Sequence, residues 1–170
     1  MPTYIALLRA VNVGGTGKLP MAELREMCVA AGFQDVHTYI ASGNVVLRSP
    51  KSAVQVKQAL EARLAEYAGK PVGVVVRSGA DLARVLVGNP FAEGAPNRVV
   101  AIFLDDPPAA DALDTVRHRR EERIALGERE IYVHYGDGMA DSKLVIPAAR
   151  AGTARNMNTV AKLIEMAGAD

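Results

Sequence analysis

Hydrophobic positions along this chain change their period several times, and each change marks an element. From Thr3 to Val13 both alternating sets are apolar, with Ile5, Leu7, Val11 and Val13 on one face and Tyr4, Ala6, Leu8 and Ala10 on the other. That pattern predicts a long strand buried on both sides. After a glycine-rich turn, Met21, Leu24, Met27, Cys28 and Ala31 recur at helical spacing and Gly32 follows, which predicts a helix from Pro20 to Ala31. Two β-rich runs, Val36 to Ala41 and Asn44 to Arg48, flank Ser42-Gly43 and read as a tight hairpin. Ser49-Pro50 opens a second helix with Val56, Leu60, Leu64 and Tyr67 as its apolar stripe, Gly69 closes it, and Val72 to Arg77 form a further strand. The order β-α-β-β-α-β is that of a ferredoxin-like unit, an antiparallel sheet with both helices on one face.

A shorter version of the same order follows. Ser78-Gly79-Ala80-Asp81 has the spacing of a capping box and starts a connecting helix that stops at Gly88-Asn89-Pro90. Then come a strand from Arg98 to Leu104, a Pro-initiated helix from Pro107 to Arg119, and a hairpin of Arg123 to Leu126 and Glu130 to Tyr135 turned by Gly127-Glu128. A last helix begins near Asn156 and carries Val160, Leu163, Ile164 and Ala167 on one side. The predicted fold class is α+β, with two tandem ferredoxin-like βαββαβ-type subdomains built on antiparallel sheets. The second is incomplete or modified, lacking its final strand or borrowing one from Leu144 to Ile146. The expected boundaries are residues 1–78 for the first subdomain, 79–97 for a connector helix and loop, and 98–170 for the second.

Composition narrows the function classes. Twenty basic side chains face nineteen acidic ones, a net charge of +1, so the chain lacks the strongly basic footprint of a nonspecific nucleic-acid binder. Aromatics are 5 % and tryptophan is absent, so the core is expected to be aliphatic. The single cysteine, Cys28, sits on the apolar stripe of the first helix and reads as a buried, inert thiol. No leader and no apolar run of about 18 residues is visible, which predicts a cytoplasmic protein without a membrane partner. His37, His118 and His134 have no partners at metal-ligand spacing, so no metal site is expected, while the sequence leaves any cofactor open.

The chemistry that remains gathers around two helix starts. Arg9-Ala10-Val11-Asn12-Val13-Gly14-Gly15-Thr16-Gly17-Lys18 runs from a strand into a glycine turn ahead of a helix, a setting in which backbone N–H groups can face an anion. It is not a nucleoside-triphosphatase loop, because Asn12 and Leu19 stand where that pattern needs glycine and Ser or Thr. A dinucleotide fingerprint would need glycine at Pro20. Alternation places Arg9 on an apolar strand face, where a charge needs a partner, either an internal salt bridge or carbonyl cluster or a bound anion. Thr153-Ala154-Arg155-Asn156-Met157-Asn158-Thr159 is the second start, with Asn156 as a candidate cap and Lys143 and Arg150 as nearby positive charge. Ser142-Lys143 is a weak nucleophile and base pair, since adjacent residues rarely face one another. Ser42-Gly43-Asn44 is explained by turn chemistry alone.

Six segments in order carry a resemblance: Leu7 to Gly15, Met21 to Arg25, Ser42 to Val46, Asn89-Pro90-Phe91, Ser142-Lys143-Leu144 and Thr153 to Val160. Together they resemble the DUF1697 family, bacterial proteins of unknown function, over nearly the whole chain. Ala10 stands where that family usually has glycine, and Met157 where it usually has tryptophan. The resemblance implies an α+β fold of two related subdomains and supplies no activity. It also implies that Arg9, Asn12, Ser42, Asn44, Lys143, Arg155, Asn156 and Asn158 occupy motif positions although they are polar.

The resulting expectation is binding of a phosphate- or carboxylate-bearing ligand, a nucleotide or nucleic-acid segment included, at a site between the subdomains. Arg9, Asn12, Gly14, Gly15, Lys18, Asn44, Lys143, Arg155, Asn156 and Asn158 are its candidate residues. Whether a reaction is catalysed stays open, because no acid, histidine or cysteine is tied to these motifs. The alternative is a protein–protein interaction module whose polar motifs serve only subdomain packing, and it predicts that Arg9 and Arg155 are both buried.

Overall fold

A computed structural model describes residues 1–10 and 18–168 of the chain. These divide into two compact units, one of Met1–Leu82 with Leu163–Asp170 and one of Ala83–Lys162. Each contains a four-stranded antiparallel sheet, and each sheet has the ferredoxin-like strand order.

In the first unit β1 (Thr3–Leu8), α1 (Met21–Ala30), β2 (Gln34–Tyr39), β3 (Asn44–Arg48), α2 (Ala53–Ala68) and β4 (Val74–Ser78) follow the predicted order. The sheet order is β2-β3-β1-β4, with every neighbour antiparallel. Every residue of β1 is buried. Tyr4, Ala6 and Leu8 join Leu24, Cys28, Val56, Leu60 and Leu64 of the helices in one aliphatic core. On the alternate face Ile5, Leu7, Val46, Val75 and Arg77 are buried as well. Burial pushes the Cys28 thiol up to about 12, so it is an unreactive part of that core.

Several local details differ from the sequence pattern. β1 ends at Leu8 rather than Val13, because Arg9 bends the chain and Ala10 takes φ 53, outside the extended region. α1 begins at Met21, with Pro20 as an N-cap that makes no side-chain hydrogen bond. α2 starts from Ser52 rather than Ser49-Pro50. There Ser52 Oγ accepts from the Gln55 N–H and Gln55 Oε1 accepts from the Ser52 N–H, the reciprocal capping box. The β2–β3 connection is a four-residue loop, Ile40 to Gly43, instead of a two-residue turn. Gly43 adopts φ 90 and Ile40 φ 48, the latter a costly conformation for a β-branched residue. What holds it is Asn44, fully buried, whose Nδ2 donates to Tyr39 O at 2.9 Å and Ser42 Oγ at 3.0 Å.

After β4, α3 (Gly79–Val87) is capped as the sequence implies, the Asp81 N–H donating to Ser78 Oγ at 3.0 Å. The second unit then runs β5 (Val99–Phe103), β6 (Arg123–Leu126), β7 (Glu130–His134), β8 (Thr153–Asn156) and α4 (Met157–Ala167). Its sheet order, β6-β7-β5-β8, is the first unit's order again.

The second sheet is therefore complete, and the modification lies in its crossovers. No α-helix forms from Pro107 to Arg119, where only a 3-10 turn at Ala112–Thr115 is present. The reason is a competing extended pairing, in which Arg117 and Val145 exchange both backbone hydrogen bonds at 2.9 Å. Leu144 to Ile146 consequently supplies that isolated bridge and not the fourth strand. The fourth strand is β8, so Arg155 is a strand residue and α4 begins one residue past Asn156.

Register reveals how closely the units repeat. Ile5 lies opposite Arg77 in the first, and Ala101 opposite Arg155 in the second. In each, the edge strand ends in a buried arginine followed at once by the cap of a helix, Ser78 or Asn156. Likewise Leu7 faces Asn44 and Phe103 faces Glu130, both partners being buried polar residues that begin the third strand.

The positive φ of Ala10 carries a stability prediction. A left-handed alanine costs about 1–2 kcal/mol, while glycine adds about 0.4–1 kcal/mol of unfolded-state entropy. Ala10→Gly is thus expected to raise stability by a few tenths to about 1 kcal/mol in urea unfolding, and a loss of stability would refute the strain.

Candidate ligand-binding site

One end of the first sheet gathers the predicted motifs of that unit. Leu8 N–H donates to Gly43 O, so the hairpin loop lies beside the end of β1, and Arg9 N–H donates to Gly73 O, so the approach to β4 lies on the other side. At this end is a cavity of about 450 Å³. Arg9, from the end of β1, Lys18, ahead of α1, and Lys70, just past α2, bring three cations to its wall.

The remaining wall is mostly apolar: Leu19, Leu64, Pro71 and Val72 line it, and Tyr67 contributes a phenol ring that is half-exposed. No acidic side chain occurs among its described lining residues. α2 terminates beside it because Gly69 adopts φ 71 and returns its N–H to Ala65 O. Lys70 follows directly and also offsets the negative end of that helix. The wall between α2 and β4 is fixed by Glu61, whose Oε2 accepts from Lys57 Nζ at 2.7 Å and from the Val74 N–H at 3.0 Å. The stem of Arg9 lies over Gly73, where an added Cβ would sit 3.7 Å from Arg9 Cβ and Cδ.

The sequence-derived candidates divide as follows. Arg9 and Lys18 meet in the cavity, and Arg9 is exposed, not on a buried strand face as alternation predicts. Asn12, Gly14 and Gly15 lie outside the described residues. Asn44 belongs to the same end of the sheet, with its amide holding the hairpin. Lys143, Arg155, Asn156 and Asn158 are in the second unit. Lys143 and Asn158 are exposed there, while Asn156 Oδ1 accepts from the Thr159 N–H as the cap of α4. Arg155 is buried, donating from Nη1 to Thr153 Oγ1 at 2.7 Å and Ala154 O at 2.9 Å. Burial pulls its guanidinium down to about 10.

Sequence reasoning missed Lys70 and the role of Tyr67. The pattern placed Tyr67 on the buried stripe of α2, where it is the fourth apolar position, but the helix ends one residue later and leaves the ring at the cavity. Met157 is buried at the start of α4, so methionine fills that place by packing.

A second polar cluster is structural. The buried Glu122 accepts from Ser142 Oγ and from the Arg120 N–H, and these two bonds hold its carboxyl below the usual range. With the Arg117–Val145 bridge it ties the segment before β6 to the loop after β7. Ser142 is committed to this carboxylate, and no bond from Lys143 to it occurs among the described residues. Among those residues no three His, Cys, Asp or Glu side chains gather as a metal site, and no helix is long and apolar enough to cross a membrane.

Fold and site together define a duplicated ferredoxin-like α+β protein with a basic, apolar-walled cavity in its first unit. A family model described as "Protein of unknown function (DUF1697)" matches residues 1–132, and the chain belongs to that family. The match includes the cavity and stops before the Ser142-Lys143-Leu144 and Thr153 to Val160 motifs. The chain is also similar to the solved structure of conserved bacterial protein SP0830 from Streptococcus pneumoniae, at 25% identity and a TM-score of 0.79, with 98% of each chain covered. No match was found among curated proteins.

Proposed function

We propose that this protein binds an anionic, phosphate- or carboxylate-bearing ligand in the cavity of its first unit. The observation that carries the reading is the convergence of Arg9, Lys18 and Lys70 on one cavity whose described lining holds no acid. Three cations from the segments after β1, before α1 and after α2 raise the local potential and concentrate anions there even though the whole chain is nearly neutral. The interaction-module alternative expects both motif arginines to be buried, and the exposure of Arg9 at a cavity favours the ligand reading over it. Arg155, buried and bonded within β8, is assigned to the framework of the second unit.

The test is a titration with inorganic phosphate and with acetate, followed by amide chemical shifts. Shifts are expected at the amides of Arg9, Lys18, Lys70, Val72 and Gly73. Lys18→Ala combined with Lys70→Ala should lower affinity by at least about tenfold, the scale of losing charge-assisted hydrogen bonds of about 1.5–3 kcal/mol. Absence of any shift in that set with either anion would refute the proposal.

A further inference from the structure

We infer that the ligand of this cavity is a phosphomonoester attached to a planar ring, in class a nucleoside monophosphate; the inference rests on the anion-binding reading of the same site. Charge is the first argument. A phosphate monoester carries about −1.5 to −2 at neutral pH, against −1 for a carboxylate, and so answers three converging cations better. It also presents three acceptor oxygens, which suits donors arriving from the end of β1, the start of α1 and the turn after α2.

Size and wall chemistry supply the rest. The cavity volume of about 450 Å³ is within the range of sites that enclose whole small molecules, about 300–1,000 Å³. An inorganic anion would leave the accessible apolar part of its wall, Pro71, Val72 and the Tyr67 ring, uncovered. Tyr67 distinguishes a ring from an alkyl chain, because a half-exposed phenol at a cavity offers a flat face on which a base can stack. A compact cavity with three cations, on a chain of net charge +1, differs from the extended basic track that single-stranded nucleic acid requires.

Calorimetric titration of the full chain with adenosine monophosphate, ribose 5-phosphate, hexyl phosphate and a tetranucleotide without a terminal phosphate tests it. Adenosine monophosphate should bind at least about tenfold more tightly than each of the others, in line with the worth of one base stack. Tyr67→Leu, at an exposed position, should remove most of that margin and leave ribose 5-phosphate within about twofold of wild type. Equal affinity for adenosine monophosphate and ribose 5-phosphate, or a tighter alkyl phosphate or tetranucleotide, overturns the ring-bearing monoester while leaving the anion site standing. Binding of none of the phosphates overturns the monoester, and overturns the anion site as well when acetate also leaves the Arg9, Lys18 and Lys70 amides unshifted.

Discussion

Leu60→Ala is expected to destabilise the first unit by about 2–5 kcal/mol, the range for emptying a fully buried leucine site. Leu60 has no exposed surface and sits in the middle of α2, packed into the core that contains Leu24, Cys28 and Val56. Its loss removes methyl groups from water-free contact and leaves a void that a four-stranded sheet cannot close without moving a helix. The same helix carries Leu64 and Tyr67 one and two turns further on and ends just ahead of Lys70, so the substitution acts on the cavity through the packing of α2. Urea unfolding should show a lower midpoint. Phosphate binding at saturating stability, in low urea and at low temperature, should fall far less than with Lys18→Ala and Lys70→Ala. A loss under about 1 kcal/mol would mean that the core relaxes around the gap.

The second large effect is expected at Gly152, in the other unit. A Cβ there would lie 2.7 Å from Ile102 Cγ2, 2.9 Å from Leu104 Cδ2 and 2.9 Å from Phe103 O. The two side chains can turn, but Phe103 O belongs to the central strand β5, which is hydrogen-bonded to β7 and β8. Gly152→Ala therefore either pushes the entry of β8 away or strains β5, at about 2–3 kcal/mol, the upper part of the overpacking range. Hydrogen exchange should show the β8 amides losing protection first, with β1 to β4 little changed. Unchanged protection in β8 would show that the chain before it shifts without cost. Loss of β8 also loosens Arg155 and the Asn156 cap, which is how the glycine just ahead of the Thr153 to Val160 motif supports that motif's shape.

The two units illustrate different uses of one topology. In the first, two full α-helices cover one face of the sheet, and their ends meet the cations of the cavity. In the second, the crossovers are short 3-10 turns and an isolated bridge, and Glu122 with Ser142 supplies a clamp that helices would otherwise make unnecessary. Both keep a buried arginine on the edge strand ahead of a capped helix. In the second unit burial lowers that residue's basicity, and it donates to Thr153 Oγ1 and Ala154 O of its own strand.

Much of this was written in the sequence because it depends on neighbours along the chain. The β-α-β-β-α-β order follows from alternation and helical spacing, the Ser78–Asp81 box and the Asn156 cap from residues three apart, and the end of α2 from Gly69. Cys28 reads as inert because its stripe is apolar. What the tertiary structure decided depends on distant partners. Alternation cannot register that Ala10 leaves the extended region, so it placed Arg9 inside a strand face when the residue lies exposed at a cavity. A helical spacing from Pro107 onward carries no sign that Val145 will offer Arg117 two backbone hydrogen bonds, nor that Thr153 to Asn156 will close the second sheet. Lys70, 52 positions beyond Lys18 in the sequence, joins it only because α2 returns the chain to the end of β1. Local periodicity specifies elements; the cavity exists only where the ends of those elements are brought together by packing.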